Sequence, residues 1–138
     1  MSDNTNYVNE VRYQMGKAKI AEFSNGPSVT GTVMDTLNNV APHMARQAME
    51  FVLGDVLSRP GLDPKTRELL NVAVLTAIGA ALELKLHTHV ALNVGCTREQ
   101  VVEAVSQQAV YVGFPTAING IKVLEEVFKE RDAQGVKN

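Results

Sequence analysis

The stretch DPKTRELLNVAVLTAIG, residues 63–79, decides the fold. Asp63 is a good N-cap, and Pro64 suits the first helical position. Beyond them Leu69, Leu70, Val72, Ala73, Val74, Leu75, Ala77 and Ile78 leave the predicted helix 64–78 without a polar face. A helix apolar all round is buried in a larger core or at a subunit interface. Gly79 ends it, because only glycine turns left-handed without cost.

Other segments read the same way. A second pattern runs from 81 to 94 and stops at Gly95. Thr97 caps the next helix, with Gln100 completing a capping box, and that helix runs to about Val112. Gly113-Phe114-Pro115 is a break, and Pro115 starts a last helix to about Lys129. Upstream, residues 7–23 form a helix with Val8, Val11, Met15 and Ala18 at helical spacing. SNGPSVTG (24–31) is a loop, and 32–39 is a short helix. Pro42 opens a helix to about 57, with Met44, Ala48, Phe51 and Val52 on one side, and SRPGL (58–62) breaks it. Strand signals are weak. The chain is expected to be all-α, one domain over 1–138, with frayed tails at 1–6 and 130–138.

Composition narrows the function classes. The 138 residues are 45% hydrophobic and lack Trp, so the core is built from aliphatic side chains and Met. The net charge of −2 comes with no Lys/Arg block, which argues against nucleic acid as a partner. One cysteine, Cys96, allows neither an internal disulfide nor a CxxC redox pair. The opening residues show no basic–apolar targeting pattern, and no apolar run approaches the ~18 residues of a membrane span. The expectation is a cytoplasmic protein that does not associate with membranes.

The informative residues are polar ones placed on apolar faces. In ELKLHTH (83–89), Glu83 and His87 fall within about 40° of each other on a wheel at about 100° per residue. Leu82, Leu86, Val90 and Val94 surround them. His89 falls on the opposite, polar side with Lys85 and Asn93. In the preceding helix Glu68 forms a stripe with Val72 and Leu75. If Gly79 turns the chain back, Glu68, 11 residues before it, and His87, 8 after it, sit at similar heights. Glu68, Glu83 and His87 could then meet in one pocket. Buried carboxylates are costly unless paired or neutral, and an imidazole between them would share protons. That is an acid/base arrangement. Singly, each has a plainer reading: Glu68 and Glu83 lie near helix starts, where the macrodipole favours a solvated carboxylate, and His87 reads as a satisfied core histidine. Metal binding is disfavoured, because His-x-His on a helix splits the two rings and no further ligand cluster exists. His43, in a first helical turn, and Gln107 and Tyr111, one turn apart, are further candidates for contacting a ligand.

Three runs, LSRPGLDPKTRELLNVAVLTAIG (57–79), ELKLHTHVALNVGCTREQVVEAV (83–105) and AVYVGFPTAINGIKVLEEV (109–127), resemble the carboxymuconolactone decarboxylase family in order and spacing. The resemblance implies an alkylhydroperoxidase D-like helical fold with subunits associated as trimers or hexamers. In the redox branch of that superfamily a CxxC opens the second helix, and Ala80 and Glu83 stand where its cysteines would be. Peroxidase chemistry through a cysteine pair is therefore excluded. Glu68 matches the proton-relay glutamate of that branch. The decarboxylase branch reads E-L-x-x-H-x-R, which matches Glu83 and His87, with His89 replacing the arginine. The resemblance implies a lyase without cofactor or metal, acting on a small carboxylated lactone. His87 would donate the proton, Glu83 would orient it, and His43, His89, Gln107 and Tyr111 would contact the substrate. An isomerase or cyclase using the same residues, or a non-catalytic oligomeric binding protein, are the alternatives.

Overall fold

The structure, a computed structural model, describes residues 4–24, 26 and 30–136. The expected fraying at 1–3 and 137–138, and positions 25 and 27–29 of the expected loop, lie outside the described residues. Helices are the only regular elements among the described residues. None is long and apolar enough to cross a membrane. The chain divides into two compact units, residues 1–25 with 29–62, and residues 26–28 with 63–138.

The first unit holds α1 (Asn4–Phe23), α2 (Thr30–Val40) and α3 (Pro42–Gln47), which continues as a π-helical segment over Ala48–Val56. The wider π turn changes the face that packs. Met44, Phe51 and Val52 are exposed, whereas Ala45, Met49 and Leu53 are buried at spacing four. A face counted at 3.6 residues per turn drifts off once the bonds run i→i+5. Likewise Val11 and Met15 of α1 are exposed, and Gly16 and Phe23 are buried. Gly16 explains the difference. A Cβ there would lie 2.1 Å from the Met49 carbonyl oxygen, and one at Gly54 would lie 2.4 Å from that of Arg12. The two segments pack backbone to backbone, and Arg12 closes the contact with an ion pair to Asp55 at 2.6 Å.

The second unit is built on α4 (Pro64–Ala77) and α5 (Ala81–Asn93), joined by Gly79 at φ +72°. Asp63 caps α4 through the Thr66 amide, and Thr97 and Gln100 form the expected capping box on α6 (Arg98–Ser106). The helix expected to reach Val112 breaks at Gln107–Gln108, and α7 (Ala109–Val112) follows. Two tight bonds, Gln108 N–H to Val105 and Val110 N–H to Gln107, make the break. The last helix, α8, spans Phe114–Ala133. It outruns the expected end at Lys129 because Asp132 pairs with Arg98 at 2.6 Å and Arg131 is buried, bonded to Asn93. Val72, Leu84, Leu92, Val101, Val105, Leu124 and Val127 form the core. Each such side chain contributes roughly 1.5–3 kcal/mol when fully buried.

Candidate active site

Glu68 sits in the second turn of α4 and is fully buried. Isolated, that carboxylate would be very costly. Both oxygens are instead satisfied from neighbouring turns. Asn71, three residues on and on the same face of the helix, donates Nδ2–H to Oε1 at 3.0 Å. His87, on α5, meets Oε2 with Nδ1 at 2.8 Å. Asn71 Nδ2 also lies 3.4 Å from His87 Nδ1. The turn at Gly79 makes the meeting possible by returning α5 antiparallel to α4. The His87 side chain keeps 25% of its surface exposed, and Nε2 has no hydrogen-bond partner among the described residues. A half-hidden imidazole, held at one nitrogen by a buried carboxylate, can pass a proton to a molecule at the other.

Glu83 does not join them. It is exposed and makes no hydrogen bond to His87. The reason is its position along α5 rather than around it. In the first turn Ala81, Leu82 and Glu83 are all exposed, and Leu84 is the first buried residue. From Thr88 to Leu92 every residue is buried. The enclosure of that later stretch also corrects the placement of His89. It is not on a solvated polar side but 3% exposed, against α8. Its Nε2 faces Glu130 at 3.1 Å, and its Nδ1 is buried without a hydrogen-bond partner among the described residues. Burial lowers the His89 pKa below its ordinary value, against the opposing pull of the Glu130 hydrogen bond. The Lys85 hydrogen bond, more than that of His89, holds the Glu130 carboxyl below its ordinary value.

The remaining candidates are scattered. Gln107 and Tyr111 are exposed on the surface of the second unit, and neither bonds to Glu68, Asn71 or His87. His43 is exposed on α3, in the first unit. Among the described residues no group of three His, Cys, Asp or Glu side chains is placed to hold a metal. A cleft of about 300 Å³ beside Leu75, Leu84, Thr116 and Asn119 includes neither Glu68 nor His87. Asn71 was not among the expected site residues, although the sequence carries a signal for it: an amide inside an otherwise apolar helix, one turn after a glutamate. Glu130 has no such signal, since its meeting with His89 spans 41 residues.

The second unit is thus an all-helical scaffold whose central hairpin presents a carboxylate–imidazole pair. The sequence profile of the carboxymuconolactone decarboxylase family matches residues 42–126, more than half of the chain, and the chain belongs to that family. It is 32% identical over 121 residues to a 4-carboxymuconolactone decarboxylase of Acinetobacter baylyi, covering 88% of this chain and 90% of that one. It is 36% identical over 107 residues to the nitrosuccinic acid decarboxylase npaB of Metarhizium robertsii, covering 75% and 74%. A 15.0 kDa protein of Paracoccus denitrificans, from the nqo9–nqo10 intergenic region and of no named activity, is 27% identical over 123 residues, covering 88% and 90%. The chain is decarboxylase-like in kind.

Proposed function

We propose that the chain is a carboxy-lyase that removes CO2 from a small acid without a cofactor, with a carboxylated lactone as the first candidate. The hydrogen bond between buried Glu68 and half-buried His87 carries this reading. The substrates named for two relatives share one chemical feature. Each carries a group, an unsaturated lactone carbonyl or a nitro group, that can accept an electron pair. Such an acid needs no further electron sink. The C–C bond to the carboxylate breaks, CO2 leaves, and the pair passes into the acceptor as a dienolate or nitronate. One proton must then reach carbon. With Nδ1–H held on Glu68, a protonated His87 gives up its Nε2 proton to that carbanion and becomes neutral, and solvent recharges it. Donation of this kind typically accelerates a reaction 10²–10⁴-fold.

Glu83, exposed one turn before His87, does not orient the ring in this reading. The family resemblance also supports self-association. Leu70, Val74, Ile78 and Leu82 of α4 and α5, and Phe114 and Ile118 of α8, are exposed apolar side chains. Leu70, Val74 and Ile78 recur every four residues along one face of α4, and exposed apolar faces mark association surfaces. A trimer or hexamer would cover them.

The test is incubation of the purified protein with 4-carboxymuconolactone and, separately, with nitrosuccinic acid, following CO2 release. Release from either at a rate that His87→Gln abolishes is the expected result. Conversion without CO2 makes the chain an isomerase or cyclase, and no conversion of either leaves a binding protein; both outcomes overturn the reading.

A further inference from the structure

Asn71 is the one residue of the pair's described surroundings that touches both partners, at 3.0 Å from Glu68 Oε1 and 3.4 Å from His87 Nδ1. We infer that Asn71 is a positioning residue that fixes which nitrogen of His87 carries the hydrogen. Two proton arrangements fit a 2.8 Å contact between a carboxyl oxygen and an imidazole nitrogen. In one, Glu68 is a carboxylate and His87 Nδ1–H donates to it. In the other, which holds one proton more taken from solvent, Glu68 is a carboxylic acid whose O–H donates to a bare Nδ1, and the ring's hydrogen sits on Nε2. The two differ in what His87 can do, because only the first leaves neutral Nε2 with a lone pair to accept a proton from solvent.

The amide of Asn71 selects between them. Its Nδ2 group only donates, and its short contact is with the oxygen that His87 does not use; at 3.4 Å from an Nδ1 that itself carries hydrogen it makes no bond there. A carboxylate only accepts, so N–H groups on both of its oxygens complete its requirements at a fully buried position. An acid proton on Glu68 Oε2 would leave Oε1 a carbonyl, which still accepts from Asn71 but more weakly than a charged carboxylate oxygen does. The opposite amide orientation would bring Asn71 Oδ1 against the same oxygen, acceptor to acceptor. Geometry helps as well. Asn71 and Glu68 are one turn apart on α4, so the amide holds the carboxylate on the side of the helix that faces α5. Asn71 thus acts through Glu68 on the ring.

The first measurement is made on the wild-type protein. Long-range 1H–15N correlation spectra of the 15N-histidine-labelled protein, with His87 assigned through His87→Gln, report the tautomer of the neutral ring. The Nδ1–H form is expected to predominate, and a predominant Nε2–H form overturns the proposal outright. The second measurement compares Asn71→Leu, which removes the donor at similar volume, and Asn71→Asp, which keeps the shape but replaces the donor with acceptors. In both the Nε2–H fraction should rise. An unchanged tautomer ratio in either folded variant overturns the role. The kinetic arm alone rests on the decarboxylase reading. With 4-carboxymuconolactone, kcat should fall about tenfold with KM little changed, less than the roughly 10²-fold expected of losing the proton donor itself. If wild-type protein does not turn the lactone over, the lyase reading fails while the tautomer result still decides the role of Asn71.

Discussion

Glu68 Oε2 and His87 Nδ1 lie 2.8 Å apart across the Gly79 turn, the glutamate fully buried and the ring a quarter exposed. One nitrogen of the histidine is anchored in the protein and the other is offered outward. The consequences can be measured.

His87→Gln keeps a polar side chain of similar reach but cannot exchange a proton. The variant should fold as wild type does, with an unchanged helical circular dichroism spectrum, while CO2 release falls by at least roughly 10²-fold. Wild-type turnover in the folded variant would remove His87 from the chemistry.

Glu68→Gln should be worse than Glu83→Gln on both stability and activity. The substituted amide would present one acceptor and one donor to two incoming N–H groups, so a buried donor is left facing another donor. Leaving a buried donor unsatisfied costs about 1–3 kcal/mol. Glu83 is exposed and bonds to neither partner, so its replacement should change the urea midpoint little. Equal midpoints for the two variants would contradict the buried pair.

His89 should make the fold pH-sensitive. Burial lowers its pKa in the folded chain below the ordinary value of 6.5, so between these two values the unfolded chain binds the extra proton and the folded one does not. Stability is therefore full above about pH 6.5 and declines as the pH falls below it. Lys85, Glu130 and Arg131 are the charged groups that act on it, and Glu130, held low, loses its contribution only below its ordinary 4.5. Urea midpoints at about pH 8 and about pH 5.5, on either side of the ordinary imidazole value, should differ for wild type. They should differ less for His89→Gln. Equal shrinkage in His43→Gln, an exposed position, would count against this assignment.

Gly16→Ala tests the close approach of α1 to the π-helical segment. The added Cβ would fall 2.1 Å from the Met49 carbonyl oxygen, a backbone atom that cannot swing aside. Overpacking of this kind costs about 1–3 kcal/mol. In a free helix Ala is favoured over Gly by up to about 1 kcal/mol, so a stabilised variant would show that the two segments do not pack this closely.

The proposed self-association rests on the apolar side chains that one chain leaves exposed. Light scattering at micromolar concentration should give a mass at least three times the 15.0 kDa of one chain. Replacing Val74 and Ile78 together by Glu should lower that mass. A wild-type mass of one chain would refute the assembly.

The sequence by itself determined the central helices. Asp63-Pro64, Gly79, Gly95 and Thr97 act through their own backbone and near neighbours, so the bounds of α4, α5 and the start of α6 are local chemistry that a reader of residues can follow. The pairing of Glu68 with His87 was also within reach, because one turn and a fixed rise per residue set both heights. Tertiary structure alone decided what each helix buries at each point along its length. Glu83 and His87 share a face of α5, yet only the second lies deep enough in the hairpin to meet Glu68. His89 looked solvated on the wheel, but α8, arriving from 41 residues away, covers it and supplies Glu130. A helical wheel records direction around an axis and knows nothing of which partner lies alongside or where that partner ends. The π-helical turns after Gln47 mislead it further, since the period it assumes no longer holds.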